Sequence, residues 1–208
     1  MEPEQPTSNH SSSPSHRFIK QPTQATIAKI VHWINIISLI LMIGSGLQIY
    51  NANPVFGGRE GMHIPKLLTL GGWLAGGRNW HFAVMWVYSL NLLVYGCYIF
   101  MTRRWKTRFA ATQDLKALKA SANPKRKLFA GHKLVYTLII PPLLLAIVSG
   151  LAMYKPAQLY WLVNVFGSWQ NLRIVHFITI PIVLGFVILH SFLSFRFGGM
   201  RLIRSMFF

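Results

Sequence analysis

The apolar run at residues 174–195, IVHFITIPIVLGFVILHSFLSF, lies between Arg173 and Arg196 and holds no formally charged residue across 22 positions. At about 1.5 Å per residue, a helix of that length covers the roughly 30 Å hydrocarbon core of a bilayer. The run is therefore read as a membrane-spanning helix. It contains two histidines, His176 and His190, fourteen residues apart. At about 100° per residue that spacing falls about 40° short of four full turns, so both rings leave one helix face, about 21 Å apart along the axis. Ionisable groups inside a span mark functional positions by default, because an unpartnered polar group in hydrocarbon is costly. Two interfacial imidazoles bonded to backbone carbonyls would fit the same spacing, and the run alone does not choose between these uses.

Three further runs repeat the pattern, at residues 30–50, 80–101 and 134–154. Between them lie the charges: 21 Lys plus Arg against four acids, Glu2, Glu4, Glu60 and Asp114, in a chain of 208 residues that is 52% hydrophobic. A soluble domain scatters its charges, whereas these gather between uncharged runs. The expected class is all-α, an integral membrane four-helix bundle. The formal net charge of +17 does not make nucleic acid a partner, because the basic residues flank spans and no nucleic-acid module motif appears. The single cysteine, Cys97, falls within a span and reports neither a disulfide framework nor an iron–sulfur cluster. No acid falls within a span, which disfavours a proton-coupled transporter built on buried carboxylates.

Residues 1–26 are rich in Ser, Pro, Gln and Thr and have little to bury, so they read as a disordered tail. The first apolar run starts too late and runs too long to be the core of a cleavable signal. Residues 27–208 then form the membrane domain. Sixteen of the 21 basic residues fall before span one, between spans two and three, or after span four. By the positive-inside rule both termini are expected to be cytoplasmic; the expected location is the inner (cytoplasmic) membrane, as a multi-pass protein. The outer loop at 51–79 contains IPKLLTLGGWLAGG, an apolar patch too short to span, expected to lie on the membrane lipid or against a partner. Pro141 and Pro142 remove backbone donors from span three and predict a kink.

Depth sorts the eight histidines. His10 and His16 are in the tail and His63 is in the outer loop, with no specific role. His81 and His176 lie near the outer face, His32 and His190 near the cytoplasmic face. The expected pairs are therefore His81 with His176 and His32 with His190. Two facing histidines on separate helices match a six-coordinate haem, whose porphyrin supplies four nitrogens and leaves two axial positions. Zinc or copper fits less well, since each cluster has two ligands and no Cys or carboxylate beside it. Gly46 lies fourteen residues after His32, at the depth of the outer pair, where a missing side chain leaves room for a porphyrin edge. Close helix packing at Gly44 and Gly46 is the alternative. His132, at the cytoplasmic start of span three, is open to three readings: replacement axial ligand, proton carrier or headgroup-level residue. Met42, Met85 and Met153 read as packing.

The ordered set VHWIN, SGLQIYNANPVFGG, GRNWHF, NLLVYG, LLLAIVSGLAMYKP, LRIVHF, VILHSF and MRLIRSM resembles the bacterial four-helix dihaem cytochromes b. That group includes cytochrome b561 and the cytochrome b subunits of Ni-hydrogenase and formate dehydrogenase, and within it the chain is most like the thiosulfate-reductase-type subunits. The likeness runs from about residue 27 to the C-terminus. It implies two haem b groups with axial ligands at His32, His81, His176 and His190. It also implies a membrane anchor that passes electrons between the quinone pool and a peripheral periplasmic oxidoreductase subunit, often molybdopterin-dependent. The chain departs from the group at LFAGHK, where His132 stands near a usual Gln.

The resulting expectation is an electron-transfer subunit of a respiratory oxidoreductase complex, with His81 and His176 on the outer haem iron and His32 and His190 on the inner one. Arg78 and Arg173 are candidates to neutralise propionates of the outer haem, and Lys29 and Arg196 those of the inner one, with snorkelling to lipid phosphates as the competing use. A quinone pocket is expected at the cytoplasmic end, bordered by His132, which can exchange a proton near neutral pH. Two other readings stay open: a scaffold or carrier without redox haems, and a stand-alone quinol or superoxide oxidoreductase of cytochrome b561 type.

Overall fold

The computed structural model describes residues 25–206. The segment expected to form the disordered tail lies, but for its last two residues, outside that range. Four helical spans dominate, and there is no strand among the described residues. Span one is α1, Thr26–Ala52, and span two is α2, Leu74–Met101. Span three is two helices in succession, α5 (Pro124–Leu138) and α6 (Ile140–Tyr154). Span four lies in α8, Trp169–Arg204, of which Trp169–Arg196 is long and apolar enough to cross a membrane. The structure thus describes a membrane helical bundle. Its outward surface is what a bilayer requires, since Ile37, Ile40, Leu90, Leu93, Ile188 and Phe192 are all exposed.

Four crossings bring the chain back to the face where it began. That face, the near end, carries the first and last described residues and the 102–123 connection; the opposite face is the far end. Span three breaks at Ile139, two residues before Pro141. The missing N–H groups of Pro141 and Pro142 deprive the Thr137 and Leu138 carbonyls of their helical donors, and the ring of Pro141 crowds the preceding turn. The near-end connection is more ordered than its charge density suggests. It holds α3 (Trp105–Arg108) and α4 (Thr112–Ala120). Asp114 accepts the Ala111 N–H at 2.9 Å and an ammonium hydrogen from Lys133 at 2.6 Å, which starts α4 and fastens it to α5. At α5 itself, the Asn123 side chain accepts the Lys125 N–H at 3.0 Å, with Pro124 in the first turn.

The far-end loop is also tied down. The Asn51 side chain exchanges two 2.8 Å hydrogen bonds with the Ile64 backbone. Gly44 accepts the Leu70 N–H at 2.9 Å, and a Cβ on Gly44 would come within 3.3 Å of the Leu70 Cβ. At this glycine the bare backbone admits the returning loop. Gln170 donates to the Val55 carbonyl at 2.9 Å and Arg173 donates to that of Asn53, joining the loop to span four. Arg173 is thereby engaged by protein. A short helix, α7 (Tyr160–Val165), closes the other far-end connection.

The bundle consists of two hairpins. Helix α1 packs along α2, and α5 and α6 pack along α8, while backbone approaches between the hairpins are sparse. Side chains bridge the space. Tyr50 stacks on Phe177 with ring centres 4.7 Å apart, and Phe82 meets Tyr154 edge-on at 4.9 Å. These contacts are reciprocal because the hairpins repeat one another. SGLQIY at 45–50 answers SGLAMY at 149–154, and His81-Phe82 answers His176-Phe177.

Candidate functional site

The far-end site is built from the repeated elements. His81 on α2 and His176 on α8 face each other across the hairpin boundary, with ring centres 6.2 Å apart and ring planes at 77°. A metal–imidazole bond is about 2.0 Å and the bonded nitrogen lies about 1 Å from its ring centre, so imidazoles on opposite sides of one iron stand about 6 Å apart. The observed separation fits that requirement.

The ring nitrogens fit it as well. Ser149 Oγ lies 2.6 Å from the Leu145 carbonyl, the acceptor of its own hydrogen, and 2.9 Å from His176 Nδ1. With its hydrogen committed, the hydroxyl accepts from Nδ1–H. The other hairpin repeats the device. Ser45 Oγ is 2.6 Å from the Leu41 carbonyl and 3.1 Å from His81 Nδ1, with the Met42 carbonyl 3.2 Å from the same nitrogen. Each imidazole therefore carries its hydrogen on Nδ1 and keeps a lone pair on Nε2, an assignment that follows from the acceptors around it. Both serines are buried. Neither stood out in the sequence reading; the doubled SGL-x-x-Y and His-Phe strings were the signal that points to them.

The glycines beside these serines make the rings fit. A Cβ on Gly46 would come within 3.2 Å of His81 Cε1, and one on Gly150 within 3.1 Å of His176 Cε1. What Gly46 admits most directly is thus the imidazole of the neighbouring helix.

The near-end histidines form a looser group. His132 lies against His190, with ring centres 5.0 Å apart and planes tilted by 31°, and its Nε2 is 3.1 Å from Ser194 Oγ, one turn further along α8. His32 packs edge-on against Trp33 at 6.2 Å and, like His132, lies within electrostatic range of His190. The structure therefore gathers His32, His132 and His190 at one end and His81 and His176 at the other. Among the described residues, no three His, Cys, Asp or Glu side chains converge as a metal-ligand cluster. A haem needs only two from the protein.

The description "Prokaryotic cytochrome b561" belongs to a family model that matches residues 23–208. The chain belongs to that family. The cytochrome is also 32% identical, over 173 residues, to an Azospira oryzae protein named "Putative protein-methionine-sulfoxide reductase subunit YedZ1", covering 78% of this chain and 84% of the relative. No solved structure matches it. Membership implies haem b binding and electron transfer within a multi-pass membrane protein. The paired histidines with committed Nδ1 atoms are chemically suited to that group.

Proposed function

We propose that this cytochrome is the membrane subunit of a respiratory oxidoreductase and carries electrons between the quinone pool and a peripheral enzyme. The observation that carries the reading is the far-end pair, His81 and His176, 6.2 Å apart and each held through Nδ1. These two residues hold one haem b, and His32 and His190 hold a second near the other end. His132 is the poorer ligand opposite His190, because 5.0 Å between ring centres is shorter than the roughly 6 Å that an intervening iron requires. When bound, the haems supply one-electron carriers at two depths; the chain orients them and sets their potentials.

The basic residues favour a near end, with both termini, in the cytoplasm of a cell whose inner membrane holds the protein. Residues 27–208 then act as one membrane domain behind a cytoplasmic tail. The peripheral partner docks at the far end, on the periplasmic side. The name of the Azospira relative points to a partner that reduces oxidised methionine in proteins, taking two electrons and two protons and releasing water. A molybdopterin enzyme suits that role.

The test uses membranes containing the protein. A quinol analogue should bring up the reduced b-type absorption band, and methionine sulfoxide should discharge it only when the peripheral subunit is present. A band that dithionite produces and no quinol analogue does would overturn the quinone link. Discharge by methionine sulfoxide without any partner would overturn the subunit role.

A further inference from the structure

The internal repeat reaches beyond the far-end site. His32 stands thirteen residues before Ser45, and Tyr136 stands thirteen before Ser149; His190 stands fourteen after His176, and Tyr95 fourteen after His81. The register that equates the two hairpins therefore maps His32 and His190 onto Tyr136 and Tyr95. The structure brings these two phenols together across the hairpin boundary, with hydroxyl oxygens 2.6 Å apart. Where one side of the near end has a histidine pair, the other has a tyrosine pair at matching depth.

The surroundings suit a flat, apolar ring with polar edges. Tyr98 stacks on Tyr95 with ring centres 6.4 Å apart, and Phe109 stacks on Tyr136 at 5.9 Å. The Ala110 N–H donates to Thr137 Oγ1 at 2.8 Å, which pins the segment carrying Phe109 against α5. His132 precedes Tyr136 by one turn on the same helix face and touches His190. Arg108 lies within electrostatic range of both Tyr136 and His132. Two hydroxyls carry two hydrogens, and their mutual bond uses one. The second can donate outward, strengthened by the bond behind it.

We propose that Tyr95 and Tyr136 form the hydrogen-bonding head of a quinone site, with Tyr98 and Phe109 as aromatic walls. The proposal rests on the quinone exchange argued above and names its residues. Oxidation of a para-quinol yields the quinone, two protons and two electrons. A haem held at the near end would accept those electrons one at a time, and the hydrogen-bonded phenols of Tyr95 and Tyr136 would relay the protons away from the ring.

The test is stopped-flow reduction of the haem-loaded full chain in nanodiscs by menadiol and by decyl-ubiquinol, comparing wild type with Tyr95→Phe, Tyr136→Phe and the double variant. Haem content, dithionite-reduced spectrum and melting temperature are recorded for each. The expected result is wild-type haem content and spectrum with reduction by quinol slowed at least tenfold. Wild-type rates in the double variant would overturn the site while leaving quinone exchange intact. Failure of the wild type to be reduced by either quinol, with dithionite still effective, would overturn the quinone reading and this proposal together. Should the variants not fold, photolabelling of the wild type with an azidoquinone decides: label within 95–109 or on Tyr136 is expected, and label confined to other segments overturns the assignment.

Discussion

Ser149 Oγ lies 2.9 Å from Nδ1 of His176 and spends its own hydrogen on the Leu145 carbonyl 2.6 Å away. The hydroxyl is therefore an acceptor that makes the imidazole a stronger electron donor through Nε2. Ser149→Ala should leave the fold in place, since it removes one oxygen from a buried helical position and adds nothing that the packing must house. It should weaken haem affinity about tenfold, at the lower end of what loss of such an outer partner costs. It should also raise the midpoint potential of one haem, because a weaker donor stabilises ferric iron less. Potentiometric titration of the purified chain reads this directly, and an unchanged potential would show that the hydroxyl does not tune the site.

Gly150 and Gly46 give a steric test of the same geometry. A valine at either position brings branched carbon toward a ring atom that a Cβ alone already approaches within 3.1 or 3.2 Å. Such contacts inside a packed boundary force the neighbour to move. Gly150→Val should reduce the haem content from two per chain toward one, with the remaining haem keeping the spectrum of the near-end site. Two haems with unaltered spectra would mean that His176 does not need its present position.

Asp114 gives a pH dependence with a defined sign. The Ala111 N–H, and after it the Lys133 ammonium, stabilise its carboxylate and hold its pKa below the ordinary value. A lowered folded pKa contributes stability that is fully present above the unfolded value of about 4 and is lost as the pH falls through the folded value. Asp114→Asn should lower the melting temperature at pH 7 and have a smaller effect in acid below the folded pKa, where the carboxyl is already neutral. Equal effects at both pH values would mean that the ion pair does not fasten α4 to α5.

Much of the architecture is legible in the sequence because hydrocarbon leaves a coarse signature: charge-free runs of span length, with basic residues between them. The break in span three follows from Pro141 and Pro142 alone. The depth of each histidine follows from its place along a span. Less visible was anything that depends on which residues face across the hairpin boundary. The 102–123 segment reads as a charged loop until Asp114 is seen to cap α4 and reach Lys133 from nineteen residues away. Ser45 and Ser149 are ordinary small residues by composition and acquire a role only through their distance to Nδ1. The contact of His132 with His190 and Ser194 arises because α5 lies against α8, which spacing along the chain does not encode.

Haem stoichiometry across single histidine variants tests the account most directly, by pyridine haemochrome absorbance against protein mass. Wild type should hold two b-type haems per chain. His81→Ala and His176→Ala should each lose the same one, and His32→Ala and His190→Ala the other, while His132→Ala should keep both. One haem or none in the wild type, or loss of a haem in His132→Ala with both retained in His32→Ala, would contradict the account.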